Sequence, residues 1–359
     1  MPRSKSSTRD ASPAADTPAA RPSRLQMADI ARLANVSIST VSRALNNNPR
    51  LSLETRTRVN ELAKSLNYSI NVGAQILRGK QMQTVAVAFP YHPEQRQHFK
   101  DPFFLATIGS IGDALIDHGY NMLIVPVEAA RFERVTQPYE TGQAVGTILL
   151  GQEGQHQRLN ELAVRGMPLV VWGARLKDQL YCTVGSDNVM GGRQATEHLL
   201  SGGARRVAFF GDRELAELGQ RYEGYLAAHQ ALGLTPEPAL YRPVPFVTAA
   251  IRREVERMVL DEKLAFDAIF ACGDLMALQV MATLQSLGLQ VPRDVRVVGY
   301  DNLTLSADSH PSLSTVHQDI EAAGKLLVDL LLAKLRGESV DPVVMPTRLI
   351  ARESSQAPA

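Results

Sequence analysis

The feature that most constrains the fold of this sequence is a change of rhythm after Gln83. From that point, short runs rich in β-branched and aromatic residues alternate with amphipathic helical stretches. Apolar strands separated by helices are typical of a parallel sheet that is covered on both faces. The runs are too many for one sheet of about five or six strands, so the pattern predicts two stacked α/β subdomains. The predicted strands are Thr84–Phe89, Asn121–Val127, Thr147–Leu150, Leu169–Trp172, Arg206–Phe210, Ala268–Ala271 and Arg296–Tyr300.

The predicted alternation of strands and helices also indicates where a ligand would bind. In a parallel α/β fold, ligands bind in the crevice at the carboxyl ends of the strands. We therefore expect a small-molecule site in the cleft between the two subdomains. The predicted helices are Phe103–His118, Gly191–Leu200, Tyr222–Leu232 and Leu275–Leu287.

Residues 27–66 show a different pattern, with three short helical stretches and no strand. Ser37 and Ser52 are placed to cap the second and third helices. Asn35 lies in the turn between the first two helices, where a positive φ is needed. This spacing predicts a helix-turn-helix. Its apolar positions are Ile30, Leu33 and Ala34, then Val41, Ala44 and Leu45, then Val59, Leu62, Ala63 and Leu66.

The charge is divided unevenly along the chain. Residues 1–80 carry 13 basic and 5 acidic side chains, which leaves 25 basic and 32 acidic ones in residues 81–359. A basic head on an acidic body is expected when one end meets phosphate, although charge alone is equally typical of a basic tail that aids solubility. The second helix adds base-reading chemistry, because Arg can bond guanine and hydroxyls can reach phosphates or bases. The predicted DNA contacts there are Ser37, Ile38, Ser39, Thr40, Ser42, Arg43 and Asn46.

Composition and the missing motifs argue against other classes of protein. Residues 1–24 are rich in Ser, Pro, Ala and Thr and are predicted to be disordered. No apolar run approaches the roughly 20 residues that a membrane-spanning helix needs, and no secretory signal is present. Cys182 and Cys272 each lie inside an apolar run, so we expect reduced thiols and a cytoplasmic location. The chain lacks phosphate-binding loops, nucleophile elbows and clustered His/Cys ligands, so no enzyme, cofactor or metal is predicted. A transport-associated binding protein would share the α/β fold but has no use for a helix-turn-helix.

A series of motifs follows in one order between Met27 and Arg352. They are Val36-Ser-Ile-Ser-Thr-Val-Ser-Arg43, Asn71-Val-Gly-Ala-Gln-Ile-Leu-Arg-Gly79, Asp101-Pro-Phe-Phe104, Cys272-Gly-Asp-Leu-Met-Ala277, Val298-Gly-Tyr-Asp-Asn302 and Thr315-Val-His-Gln-Asp319. In this order they resemble the lactose/galactose repressor family of bacterial transcription regulators. The resemblance implies a helix-turn-helix domain at 25–70 and a hinge helix with linker at 71–83. It also implies a periplasmic-binding-protein-like pair of parallel-sheet α/β subdomains at 84–359, with three chain crossings between them.

The resemblance also assigns roles to the segment that follows the helix-turn-helix. Asn71–Arg78 resembles a hinge helix that folds only when two protomers meet over the minor groove. A short segment with a glycine is not a stable helix alone, in agreement with that role. The expected DNA contacts are Asn71, Ala74, Leu77 as an apolar wedge between base pairs, and Arg78 on phosphate. The alternative is that Leu77 is an ordinary linker residue.

In the ligand domain, the resemblance implies that Arg221 and Asp301 meet the effector, a pair suited to sugar hydroxyls. Phe103 and Trp172 are predicted to supply flat apolar faces at the cleft. Further candidates are Asp101, Asp187, Phe270 and Asp274. Alternatively, Arg221 pairs with a surface carboxylate such as Glu223, Asp301 caps a loop, and Trp172 belongs to the core. Gly173 and Gly273 depart from the family's polar ligand set, which therefore does not transfer whole.

Together these features predict a homodimeric, ligand-responsive repressor of sugar-utilisation genes. The segments Asp101–Phe104, Val171–Gly173 and Val184–Asn188 are most similar to regulators of α-glucoside or related sugar use. A purine-type effector is the alternative, since an Arg, Asp and Phe set also suits a base. The operator, the sign of the ligand response and the choice between dimer and tetramer stay open.

Overall fold

The computed structural model describes residues 27–45, 48, 50–66, 83–91 and 101–356. These residues divide into two units, one before residue 82 and one from there on. The predicted disordered tail at 1–24 and the predicted hinge helix Asn71–Arg78 lie outside the described residues.

The first unit is the predicted helix-turn-helix. Asn35 adopts a φ of 50° in the turn between the first two helices. Ser37 accepts a hydrogen bond from the Thr40 N–H at 3.1 Å, and Ser52 accepts one from Thr55 at 3.3 Å. Both predicted caps are therefore present. The helices are α1 (Met27–Leu33), α2 (Ile38–Leu45) and α3 (Leu53–Ser65).

The core of this unit confirms most of the predicted apolar positions and corrects one. Its buried side chains are Ile30, Ala31, Ala34, Val41, Ala44, Val59 and Ala63. Leu33 was expected among them, yet 56% of it is exposed. Each residue turns a helix by about 100°, so Leu33 lies roughly a quarter turn away from the face that Ile30, Ala31 and Ala34 form.

The second unit contains two six-stranded sheets, as the rhythm of the sequence predicts. Of the strand pairings in the described residues, nine are parallel and one is antiparallel, the one between the last strand and Ser314–His317. The strands are β1 (Thr84–Pro90), β2 (Asn121–Val127), β3 (Gly146–Leu150), β4 (Leu169–Trp172), β5 (Cys182–Ser186), β6 (Val207–Phe210), β7 (Tyr241–Arg242), β8 (Ala268–Ala271), β9 (Arg296–Asp301), β10 (Ser314–His317), β11 (Val343–Met345) and β12 (Arg348–Ile350). The first sheet has the order β11-β5-β4-β3-β1-β2 and the second β12-β10-β9-β8-β6-β7.

Helices cover both faces of each sheet. Along β1, Val85 and Val87 pack into one core and Ala86 and Ala88 into another on the opposite face. No helix in the described ranges is long and apolar enough to cross a membrane. The helices are α4 (Pro102–Asp117), α5 (Gln137–Glu140), α6 (His156–Val164), α7 (Asn188–Ser201), α8 (Ala216–Ala231), α9 (Thr248–Glu256), α10 (Asp274–Ser286), α11 (Thr304–Asp308) and α12 (Ile320–Leu335).

The chain passes between the two subdomains at three places, as the resemblance implied. It leaves the first sheet after β5, returns after β10 to form α12 and β11, and leaves again to form β12. Two of these crossings are bonded to each other, because Asp187 donates its N–H to the Met345 carbonyl at 2.8 Å. Thr347 also donates its hydroxyl to the Asp187 carbonyl at 3.3 Å.

Candidate functional site

The outward face of α2 carries the predicted DNA contacts that the structure describes. Val41 and Ala44 turn this helix's apolar side into the core, which leaves Ile38, Ser39 and Arg43 exposed. Ile38 is 46% exposed although it is apolar. An exposed apolar residue and an exposed arginine on one helix suit a surface that meets base edges.

Hydroxyl groups order the start of the same helix. Ser37 lies within hydrogen-bonding distance of the Ser39 hydroxyl at 2.8 Å and of the Thr40 hydroxyl at 2.9 Å. Ser42 is partly buried on the same helix. The remaining predicted DNA contacts, which are Asn46, Asn71, Ala74, Leu77 and Arg78, lie outside the described residues.

A cavity of about 170 Å³ lies in the second unit where the two sheets present the carboxyl ends of their strands. Pro90 ends β1 and Trp172 ends β4, while Cys272 follows β8 and Asp301 ends β9; all four line the cavity. Both subdomains therefore contribute to one site. Its position is the one that parallel topology predicts.

Aromatic rings from both subdomains line the cavity. Phe103 and Trp172, both predicted from the sequence, have ring centroids 6.2 Å apart. Phe104 and Phe246 add two further rings to the lining. Trp172 is only 7% exposed and also packs into the core of its subdomain, so it serves the core and the cavity together.

Arg221 reaches the cavity from α8, and protein atoms hold most of its guanidinium. Nε donates to Asn188 Oδ1 at 2.9 Å, and Nη1 donates to the Cys272 carbonyl at 2.5 Å. The guanidinium carbon lies 3.6 Å from the centre of the Tyr300 ring, in a cation–π contact. These contacts differ from the alternative of a surface pair with Glu223.

Asp301 lines the cavity from the end of β9 in a conformation that L-residues rarely adopt. Its φ is 121°, and Asn302 follows with a φ of 59°. Oδ1 accepts a hydrogen bond from Gln318 Nε2 at 2.7 Å. Burial, together with the charge of Asp274, raises the pKa of Asp301 well above its ordinary value. Backbone strain of this kind occurs at functional sites, because the surroundings must hold it.

Three more carboxyl groups line the cavity. Asp101, a predicted site residue, caps α4 by accepting a hydrogen bond from the Phe103 N–H at 2.9 Å. Burial raises its pKa. Glu217 lies in the first turn of α8, and its pKa is raised by burial and, to a smaller extent, by the charge of Glu153. Glu153 is the third of these carboxyl groups.

The other predicted ligand contacts are not among the cavity's lining residues. Asp187 caps α7 by accepting a hydrogen bond from Met190 N–H. Phe270 is fully buried in the core beside the second sheet. Asp274 is fully buried as well, and burial raises its pKa to about 6. Its carboxylate accepts hydrogen bonds from the Leu303 N–H and from the hydroxyls of Ser306 and Thr315.

Sequence reasoning missed several lining residues. Glu217 lies one turn before Arg221 on the same helix face, but the predicted helix began only at Tyr222, beyond both of them. Gln152 and Glu153 follow β3, so the rule of carboxyl ends was enough to find them. Phe246 lies in a loop after the two-residue strand β7, and no sequence pattern marks it.

Gln152, one of the lining residues, carries a polar atom that has no hydrogen-bond partner among the described residues. Its side chain is 1% exposed, and Nε2 donates to the Ala174 carbonyl and to the Tyr181 hydroxyl, each at 2.8 Å. Oε1 is buried without a hydrogen-bond partner in the part of the chain that the structure describes. A buried acceptor of this kind costs free energy unless a ligand or water bonds it.

Comparisons with known proteins agree with this architecture. A model described as "Bacterial regulatory proteins, lacI family" matches residues 26–71, and one described as "Periplasmic binding protein-like domain" matches residues 196–355. The HTH-type transcriptional regulator CelR of Thermobifida fusca is 32% identical over 335 residues, which cover 90% of this chain and 96% of that protein. The sucrose operon repressor of Pediococcus pentosaceus is 31% identical, with 90% and 97% covered.

Two solved structures are similar over nearly the whole chain. The lac repressor dimer bound to operator and the anti-inducer ONPF has a TM-score of 0.80 at 25% identity, covering 93% of this chain and 99% of that one. A transcriptional regulator CelR–cellobiose complex has a TM-score of 0.68 at 29% identity, covering 92% and 100%.

A helix-turn-helix joined to a ligand-binding pair of α/β subdomains defines a class of protein, the ligand-responsive DNA-binding transcription regulators. This chain belongs to the lacI family of bacterial regulatory proteins. The predicted family and fold class are confirmed.

Proposed function

We propose that the protein is a homodimeric repressor that binds a two-fold symmetric DNA site through α2. Its affinity for this DNA changes when a sugar occupies the cavity. The observation that carries this proposal is the cavity itself. Aromatic rings and hydrogen-bonding groups from both subdomains surround a space at the carboxyl ends of the strands. Rings cover the apolar faces of a sugar while polar groups bond its hydroxyls.

The relatives support the same function. A CelR structure contains cellobiose, and another relative is named for a sucrose operon. The lac repressor structure is a dimer on operator DNA. We further propose that the protein acts in the cytoplasm and catalyses no reaction, as expected of a transcription regulator. In this view Arg221 and Asp301 are effector contacts, and Ile38, Ser39 and Arg43 are base contacts.

A DNA selection followed by a ligand titration tests this function. The full-length protein is incubated with random duplexes, bound DNA is sequenced, and the selected duplex is used in mobility shifts with cellobiose, sucrose, ribose and hypoxanthine. We expect a palindromic sequence and a change of about 5- to 150-fold in DNA affinity with one of the sugars. Failure to enrich any sequence contradicts the DNA-binding role, whereas enrichment with a response to hypoxanthine alone contradicts the sugar effector.

A further inference from the structure

The strained backbone at Asp301 needs support from residues around it. Asp301 has a φ of 121° and Asn302 one of 59°, so two successive residues lie in the left-handed region. A strained backbone costs free energy and persists only where the surrounding structure holds it. The groups that bond Asn302 therefore help to fix the position of the Asp301 carboxyl group, which lines the cavity.

Three partners hold Asn302 in place. Its N–H donates to the Thr315 hydroxyl at 3.2 Å, and its Nδ2 lies 3.1 Å from His317 Nδ1. Its Oδ1 accepts a hydrogen bond from Arg352 Nη2 at 2.7 Å. This last bond is the shortest of the three and has a charged donor, and hydrogen bonds from charged donors are roughly twice as strong as neutral ones. We therefore expect Arg352 to hold Asn302 more firmly than the other two partners do.

Arg352 is itself fixed by the protein and is not among the lining residues of the cavity. Nη1 donates to the Leu313 carbonyl at 2.8 Å, so the two ends of one planar guanidinium bond two different segments. The backbone N–H of Arg352 donates to the Ser314 hydroxyl at 2.7 Å, and its carbonyl accepts from that hydroxyl at 2.9 Å. The segment 352–355 is thus bonded both to β10 and to the turn that follows β9.

We propose that Arg352 is a positioning residue for the effector: by holding Asn302, it sets the place of the Asp301 carboxyl group against the ligand. This inference rests on the proposed role of Asp301 as an effector contact, and it adds a residue from outside the cavity lining. Without Arg352, the turn after β9 keeps its weaker bonds and gains freedom. The cost of ordering Asp301 is then added to the cost of binding the ligand.

The variant Arg352→Ala tests this role. The full-length protein is titrated in a calorimeter with cellobiose, sucrose, ribose and hypoxanthine. We expect the ligand that binds the wild type to bind the variant about 10- to 100-fold more weakly, since a hydrogen bond from a charged group is lost. An unchanged ligand affinity overturns the inference and leaves the proposed function standing. If none of the four ligands binds the wild type, the effector site and this inference fall together.

A control variant separates positioning from a general loss of stability. Ser354 lies in the same segment 352–355 and is fully buried. Its hydroxyl donates to the Val297 carbonyl at 2.7 Å and accepts from the Ser314 N–H at 2.8 Å. We expect Ser354→Ala to lower the free energy of unfolding, measured by urea denaturation, and to change the ligand affinity by less than about twofold. Equal losses of ligand affinity in Ser354→Ala and Arg352→Ala would make Arg352 a structural residue and overturn the inference.

A double-mutant cycle identifies the route of the effect. Asn302→Gly removes the amide that Arg352 bonds, while glycine still tolerates the positive φ of this position. We expect Asn302→Gly to weaken ligand binding by a factor similar to that of Arg352→Ala, and the double variant to bind no more weakly than the weaker single variant. Additive losses contradict a route through Asn302. If Arg352→Ala does not fold, Asn302→Gly decides alone, because an unchanged ligand affinity there overturns the inference.

Discussion

At the scale of single residues, Asp301 combines three features that rarely coincide: a strained backbone, a raised pKa and a place in the cavity lining. Gln318 and the turn through Asn302 hold it there, since Asn302 also bonds Arg352 Nη2 at 2.7 Å. A raised pKa means that the folded protein keeps a proton that the unfolded chain releases. This carboxyl group therefore lowers the free energy of unfolding as the pH rises from the unfolded pKa of about 4 towards its raised folded value.

Replacing Asp301 with Asn should remove this pH dependence. The amide is always neutral, and its oxygen can still accept the hydrogen bond from Gln318. We expect Asp301→Asn to gain stability relative to the wild type as the pH rises, and the two proteins to differ least near pH 4. Urea denaturation from about pH 4 to pH 8 measures the difference. A difference that stays constant over this range contradicts the assignment.

Arg43 offers a second residue-scale prediction. As an exposed arginine on the outward face of α2, it is placed to bond a guanine edge. Arg43→Ala should weaken binding to the selected duplex by about 10- to 100-fold, and binding to unrelated DNA much less. Arg58→Ala is the matched control, since Arg58 is an exposed arginine on α3 outside the predicted base contacts, and it should lower the affinity for the selected duplex no more than that for unrelated DNA. Equal losses for Arg43→Ala in a mobility-shift titration would mean that this arginine touches only phosphate.

At the scale of secondary-structure elements, α7 and α8 pack backbone against backbone. A Cβ atom at Gly192 would lie 2.1 Å from the Arg221 carbonyl oxygen, and one at Gly224 would lie 2.1 Å from that of Val189. Two glycines at a helix start could suggest phosphate binding, but both lie inside α7. Gly192 allows the close approach to α8, and Gly191 leaves room for the Tyr300 side chain. The close approach also brings Arg221 within reach of Asn188.

A glycine-to-alanine pair tests this packing. Gly192→Ala should lower the free energy of unfolding by about 3 kcal/mol or more, because backbone atoms must move apart to admit the methyl group. Gly109→Ala in α4 is the control: nothing lies within 4 Å of its Cβ position, so it should stabilise the protein by about 0.5–1 kcal/mol. Chemical denaturation compares the two. Similar effects in both variants contradict the proposed packing role.

Five strands of the structure were not predicted from the pattern of apolar residues, and one of them consists largely of polar residues. The sequence predicted seven strands and missed Cys182–Ser186, Tyr241–Arg242, Ser314–His317, Val343–Met345 and Arg348–Ile350. Ser314 and Thr315 are fully buried, since Ser314 donates to the Arg352 carbonyl and Thr315 to Asp274. Their partners come from distant segments, so the local pattern of apolar residues gives no sign of a buried strand.

At the scale of the whole molecule, the two proposed effector contacts are bonded to the segments where the chain crosses between subdomains. Arg221 bonds Asn188 just after the first crossing, and Asp301 bonds Gln318 at the second. Asn188 in turn donates to the Ser186 carbonyl at the end of β5. A ligand that moves Arg221 or Asp301 therefore acts directly on two of the crossings, which suits a domain that changes the angle between its halves.

Coupling between sugar and DNA must be reciprocal, and this gives a prediction for the full-length protein. If a sugar changes the affinity for the selected duplex by a given factor, the duplex must change the affinity for that sugar by the same factor, expected at about 5- to 150-fold. Titrating the sugar into free protein and into the protein–DNA complex measures both. Arg221→Ala should keep its DNA affinity and lose the response. Unequal factors contradict a single two-state coupling.

The sequence by itself determined the helix-turn-helix, the two parallel sheets and the place of the ligand cleft. Helix and strand periods, caps and turns depend on neighbouring residues. The turn at Asn35 and the helix caps at Ser37 and Ser52 could therefore be predicted without knowledge of any long-range contact. The position of the cleft follows in the same way, because strand polarity alone decides which edge of a sheet faces the ligand.

Only the tertiary structure decided which side chains are available to the ligand. The sequence predicts Asp274 and Phe270 as ligand contacts. In the structure, hydrogen bonds hold Asp274 and core packing holds Phe270, and neither residue lines the cavity. Arg221 reaches the cavity, but its donors are taken by residues 33 and 51 positions away in the chain. Glu217 joins the site because α8 begins earlier than its apolar pattern indicates. Hydrogen-bond partners are a property of the folded neighbourhood, which local periodicity does not encode.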